Sequence, residues 1–206
     1  MRIVLIHAVQ AAMSPVVDAF VRLWPGAERM NLLDDALSVD RAAGRETDGR
    51  IKALARHAEQ AGADGILYTC SAFGPAIDAA AQAVSVPVLK PNQAMFAEAM
   101  VFARVGLLAS FQPSLPPMTD EFAALGGGTA LEARCMPEAM EALNNGDAAR
   151  HDALLAEEAR QFGPVDAIML AQFSTARAAP AVAEATGLPI LTSPDSAVLA
   201  LKERLG

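Results

Sequence analysis

Gly62–Asn92, GADGILYTCSAFGPAIDAAAQAVSVPVLKPN, is the stretch whose reading decides the fold. Gly65–Tyr68 is a short apolar run without polar alternation, the pattern of a strand buried on both faces. It runs out at Thr69, Cys70 and Ser71, where a helix pattern of small residues begins. A second apolar run, Val86–Leu89, leads into the turn Lys90-Pro91-Asn92. Strand, helix and second strand of this length form one unit of a parallel sheet. A thiol between a strand end and a helix start meets unpaired backbone N–H groups and the positive end of the helix dipole. Both favour thiolate at Cys70. The competing reading is a small buried hydrophobe, the usual state of a free cysteine.

The same unit occurs twice. A shift of 102 positions, the separation of Asp64 and Asp166, lays one half of the chain on the other without a gap. It places Ile66 on Ile168, Pro87 on Pro189 and Leu89 on Leu191. Arg2–Ile6 falls on Arg104–Leu108, and Phe20 on Phe122. Alanine matches in an alanine-rich chain carry little weight. The paired D-x-I and P-V/I-L elements carry more, and indicate a duplicated unit of about a hundred residues.

Each unit reads as strands alternating with helices. In the first, Arg2–His7 is a strand, Pro15 sits in the first turn of a helix ending at Leu23, and Glu28–Leu33 is a second strand. Leu37–Arg50 is polar and poorly patterned and reads as a mobile loop, followed by a helix over Ile51–Ala61. In the second unit, Arg104–Ala109 opens, and Ser110–Met118 reads as a loop broken by Pro113, Pro116 and Pro117. A helix capped by Thr119 or Asp120 follows, then a strand over Thr129–Cys135. The expected fold is α/β: two pseudo-symmetric parallel-sheet lobes, residues 1–98 and 99–206, with the C-terminal helix free to pack on the first lobe. Parallel strands would bring their carboxyl ends together between the lobes, where open α/β sheets bind ligands.

With 206 residues the chain is long enough for real cores, and no apolar run nears the ~18 residues that cross a bilayer. The opening MRIVLIHAVQ reads directly as a strand and not as a secretion signal. The two cysteines, Cys70 and Cys135, show no paired spacing, which fits a reducing cytoplasm. A net charge of −8 with no basic stripe argues against nucleic acid as a partner.

Residues following the strands describe the expected cleft. The first unit supplies His7, Gln10, Ser14, Thr69, Cys70, Ser71, Lys90 and Asn92. The second supplies Ser110, Gln112, Ser114, Gln172, Ser174, Thr175, Thr192, Ser193 and Asp195. Mostly neutral donors, they suit a carboxylate or amide. Any one Ser or Thr alone reads as loop or cap chemistry, and the weight lies in their recurrence at equivalent points.

These features carry a family resemblance over essentially the whole chain. The duplication, ADGILYTC (residues 63–70), TCSAFGPAI (69–77) and VGLLASF (105–111) resemble the aspartate/glutamate/hydantoin racemase superfamily. Cofactor-independent amino-acid racemases, maleate isomerase and arylmalonate decarboxylase belong to it. The resemblance implies an active site between the lobes, no cofactor, a dimer, and a small carboxylate-bearing substrate of amino-acid or hydantoin type. It also implies two cysteines facing each other across the substrate. Cys70 matches the first. Gln172, within MLAQFSTARA, stands where the second belongs, and Cys135 falls on a different strand. The implied binding residues are His7, Thr69, Ser71, Asn92, Ser110, Phe111, Ser114, Gln172, Ser174 and Ser193.

A single acid/base thiol supports isomerase or racemase-type chemistry, with water, His7 or Ser174 serving the opposite face. It equally supports decarboxylation with the thiol as proton donor, or double-bond isomerisation by covalent addition. His7 also reads as a structural hydrogen-bonder, and His57 and His151 as solvated helix residues. No spacing suggests a metal site, and Lys90 lacks the phosphate cradle that pyridoxal phosphate would need. Asp34, Asp35 and Asp40 read as a surface loop. The other class of reading is a non-catalytic binder of small acids in which Cys70 is incidental.

Overall fold

A computed structural model describes all 206 residues. The first unit contains β1 (Arg2–His7), α1 (Met13–Leu23), β2 (Glu28–Leu33), α2 (Ala36–Ala42), α3 (Asp48–Gln60), β3 (Gly65–Tyr68), α4 (Gly74–Ala81), β4 (Val88–Leu89) and α5 (Gln93–Ala99). The second contains β5 (Arg104–Ala109), α6 (Leu115–Ala124), β6 (Ala130–Cys135), α7 (Pro137–Asn144), α8 (Ala148–Ala159), β7 (Ala167–Leu170), α9 (Ala179–Thr186), β8 (Ile190–Thr192) and α10 (Ser193–Leu205). None of the helices is long and apolar enough to cross a membrane.

The strands form two all-parallel four-stranded sheets, ordered β2-β1-β3-β4 and β6-β5-β7-β8. The duplication extends to the register of every ladder. Ile3 pairs with Gly65 as Val105 pairs with Ala167, Arg2 with Glu28 as Arg104 with Ala130, and Ile66 with Val88 as Ile168 with Ile190. The repeated motifs have matching jobs. Asp64 accepts from the Arg2 backbone N–H at 2.7 Å, and Asp166 from that of Arg104 at 2.9 Å. The Pro87 and Pro189 carbonyls accept from the N–H groups of Ile66 and Ile168. A proline fits there because it needs only to accept.

Helices cover both faces of both sheets. On one face of the first sheet, Val4, Ile6, Ile66 and Tyr68 pack against Ile51, Ala55 and Ala58 of α3 and Ala76, Ile77 and Ala80 of α4. Its other face, Ile3, Leu5 and Leu67, is covered by Val16, Ala19 and Phe20 of α1 and by Ala197, Val198 and Leu201 of α10. On the second sheet, Val105, Leu107 and Met169 pack against Met118 and Phe122 of α6 and Met95, Phe96 and Ala99 of α5. The last helix of each unit therefore covers the other unit's sheet. The sequence divides at 98/99, but in space α5 belongs with the second lobe and α10 with the first.

Two local expectations fail. Leu37–Arg50 is not an irregular loop: it contains α2 and the start of α3, with Leu37 buried among the first-lobe core. Its helicity comes from one buried anchor and a salt-bridge net, in which Arg50 pairs with Asp34 and Asp40, and Asp40 also with Arg45. Pro116 and Pro117 do not break α6 but stand in its first turn, where a missing N–H is harmless.

Candidate active site

All strands of a sheet run the same way, so β1 to β4 deliver their carboxyl-end residues to one edge. Cys70 follows β3 in extended conformation and caps a three-residue 3-10 turn, Ser71–Phe73, ahead of α4. The residue is half-buried, packed with Ala72 against the cluster containing Tyr68 and Phe73. Burial pushes the thiol up from its usual 9.0, against the pull of the Ala72 backbone N–H and the nearby Arg41 charge. The expected favouring of thiolate is thus reversed in sign. A three-residue turn brings little dipole, and the strand end is lined with hydrocarbon.

Arg41, in the last turn of α2, lies over this turn, with its guanidinium carbon 5.2 Å from the centre of the Phe73 ring. Sequence reasoning misses it, because the stretch around Arg41 reads as a polar, poorly patterned loop.

His7 is fully buried, with Nδ1 2.8 Å from Thr69 Oγ1 and Nε2 2.9 Å from Asn31 Oδ1. Burial lowers its pKa below the usual 6.5, and the hydrogen bond with Asn31 offsets this only in part. With both nitrogens engaged and no open face, His7 does not serve as a second base. It pins Thr69, the residue before Cys70.

The second-lobe edge is built differently. The Gln172 side-chain carbonyl accepts from the backbone N–H of Ser110 at 2.7 Å and from its hydroxyl at 2.9 Å. Ser114 donates to the Phe111 carbonyl at 2.7 Å and receives a long 3.5 Å contact from the Gln172 amide. Ser110 and Ser114 are buried, while the Phe111 ring is half-exposed. Gln172, at the position of the second unit equivalent to Cys70, is therefore tied into its own lobe. Cys135 ends β6, beside Ala109 at the end of β5, and its thiol is raised by burial and by the carboxylates of Glu138 and Glu158.

Asn92 and Ser193 meet between the lobes: the fully buried Ser193 hydroxyl donates to Asn92 Oδ1 at 2.7 Å. Ser71 is half-buried beside Cys70. Ser174 stands apart, lining with Ser14, Arg22 and Arg177 a cavity of about 920 Å³ between α1 and α9, on whose wall Cys70 does not lie. Lys90 spans the lobes, 3.3 Å from Asp78 and 3.4 Å from Glu121. Burial opposes its charge, but the two carboxylates outweigh it and raise its pKa. His151 is fully buried rather than solvated, with Nδ1 2.8 Å from Asp152. No group of three His, Cys, Asp or Glu side chains is placed to hold a metal ion.

A family model described as Asp/Glu/Hydantoin racemase matches residues 8–161. The chain belongs to the Asp/Glu/hydantoin racemase family. Its fold is shared by allantoin racemase from Klebsiella pneumoniae, at 19% identity and a TM-score of 0.75, covering 98% of this chain and 86% of that one. Glutamate racemase from Thermus thermophilus, in complex with β-chloro-D-alanine, gives 19% identity and a TM-score of 0.74, with 99% and 80% covered. A double mutant of arylmalonate decarboxylase in the liganded form gives 18% identity and a TM-score of 0.70, with 99% and 92% covered. At these identities the racemase-family likeness is one of fold. No curated protein sequence matches this family member.

Proposed function

We propose that this racemase-family chain is a cofactor-independent isomerase of the racemase type, acting on a small carboxylate-bearing substrate of amino-acid or hydantoin kind through Cys70. The observation that supports the reading is the placement of Cys70: a half-buried residue at the carboxyl end of β3, directly ahead of the turn that opens α4, in a chain of the racemase family. In the proposed reaction the sulfur takes the proton from the carbon next to a carbonyl or carboxylate. The electron pair of the broken C–H bond moves onto that group's oxygen, where backbone N–H groups and hydroxyls of the facing loops lower its energy. The electrons return to carbon as a proton is delivered, from the thiol on the same face or from water on the other.

A second reading is favoured by Gln172, whose amide cannot act as a general acid or base at neutral pH and whose carbonyl is occupied by Ser110. With one thiol, loss of carbon dioxide leaves the same enolate-like carbon, and Cys70 need only protonate it.

Incubation of amino acids, hydantoins, maleate and aryl malonates in deuterium oxide tests both. Racemase-type action puts deuterium on the α-carbon of unreacted substrate, decarboxylation labels product alone, and double-bond isomerisation of maleate by addition and rotation changes geometry without requiring label. A folded protein with neither activity, whose Cys70 resists iodoacetamide, is a binder, and the proposal fails.

A further inference from the structure

Arg41 is a cation without a carboxylate in an acidic chain, where 24 Asp and Glu face 16 Lys and Arg. Two nearby acids are already committed. Asp34 is paired with Arg50, and Asp40 with both Arg50 and Arg45. Arg41 instead lies on Phe73, three residues beyond Cys70 in the same turn. Stacking a guanidinium on a ring restrains its plane and leaves its N–H edges available. Helix α2 leaves the first sheet from β2, at the edge where β3 presents Cys70.

Resting on the reading of Cys70 as the working thiol, we propose that Arg41 is the substrate-binding residue of this site. It would receive a carboxylate of the substrate through paired N–H donors and hold it beside the sulfur. Guanidinium and carboxylate match in shape, and two parallel charge-assisted hydrogen bonds fix orientation as well as affinity. A carboxylate held there would sit at the turn that carries Cys70 and Phe73, so that α2 would select for anionic substrates.

The charge also acts on the sulfur, because Arg41 opposes the rise that burial imposes on the Cys70 thiol. The other titratable groups at this strand end supply no charge. His7 is buried with its pKa lowered, and the Tyr68 hydroxyl is buried, pushed up, and donates to the Ile51 carbonyl. Arg41 is the only charged group with a resolved effect on Cys70.

The test uses full-length protein with Cys135→Ser, leaving Cys70 as the single thiol. Alkylation by iodoacetamide is followed by mass spectrometry across pH. Propionate, succinate and phenylacetate are added as protectants, each against its amide. The carboxylates, and not the amides, should slow alkylation. Arg41→Gln should weaken that protection about tenfold or more, the loss expected of a charge-assisted pair, and move alkylation to higher pH. Arg41→Lys should keep the pH dependence and lose most of the protection. If Arg41→Gln is protected as before with the same pH profile, Arg41 merely covers Phe73, and the inference is overturned while Cys70 stands. If Cys70 in the folded Arg41 protein neither reacts nor is protected, the reading of the thiol fails first and takes this inference with it.

Discussion

Ser193 donates its hydroxyl proton to Asn92 Oδ1 at 2.7 Å, joining residues 101 positions apart in sequence. The bond lies where the two exchanged helices begin: Asn92 precedes α5, which covers the second sheet, and Ser193 opens α10, which covers the first. It is asymmetric in its consequences. Asn92 Nδ2 is buried without a partner, so Oδ1 makes the side chain's one good bond. Ser193 has an alternative acceptor, the Leu170 carbonyl at 3.3 Å. Ser193→Ala should therefore cost about 1–3 kcal/mol, by stranding a buried amide, and Asn92→Ala should cost less. Urea unfolding of both variants checks the order. Because each unit's last helix sits on the other's sheet, both variants should unfold in one transition.

The interlock was only partly legible in sequence. Alignment of Asp64 with Asp166 and Pro87 with Pro189 marks a duplication, because those residues close the same strand ends twice. Residues at identical offsets then pair identically, and two parallel sheets follow. Exchange of α5 and α10 is a different matter. An amphipathic helix records that it has a buried face, and not which of two similar sheets buries it. The site divides the same way. Cys70 is visible because a thiol at a strand end is a chemical signal. Arg41 is not, because its meaning depends on Phe73 lying beneath it and on Asp34 and Asp40 being taken by other arginines. His7, at the end of β1, reads equally as a base or as a structural hydrogen-bonder, and its burial between Thr69 and Asn31, which favours the second, is a fact of packing.

His7 gives a pH signature of stability. Its folded pKa is below the usual 6.5, so the unfolded chain takes up a proton that the native state resists. The contribution is present in full above 6.5. It is lost as pH falls through that value and levels off once the depressed native pKa is passed. His7→Gln should flatten the decline between neutral and mildly acid pH in a series of chemical unfolding curves. Asp152 acts in a separate window. Burial opposes its charge, but its hydrogen bonds with Arg177 and His151 prevail and hold its carboxyl below the usual 3.8. Its contribution is present above 3.8 and lost only in stronger acid.

Cys70 should reveal by its pH profile whether it takes or gives the proton. Burial raises the thiol above its usual 9.0, so most molecules carry the protonated form at neutral pH. If the first step is proton removal, the rate climbs with pH as thiolate accumulates. If Cys70 protonates the carbon left by carbon dioxide, the rate is level near neutrality and falls as the thiol ionises. Cys70→Ala should lower either activity by a factor on the order of 10²–10⁴. Cys135→Ser should leave the profile unchanged, because Cys135 ends β6 and not β3 or β7.

Gln172 is the position at which reaction type should be switchable. Its side chain occupies the place equivalent to Cys70 and satisfies both the N–H and the hydroxyl of Ser110. Gln172→Cys removes that carbonyl and leaves the buried Ser110 donors unpaired, which should cost about 1–3 kcal/mol in urea unfolding. The exchange introduces a second proton-transferring group at the equivalent point of the other lobe. For a substrate with an activated α-carbon, deuterium incorporation with inversion should rise relative to incorporation with retention. Any decarboxylation should lose stereochemical preference, since protons then arrive from both sides. Gln172→Leu should match the stability loss without the gain in inversion, separating new chemistry from a loosened loop. Equal inversion in the two variants would mean that the group opposite Cys70 is not at position 172.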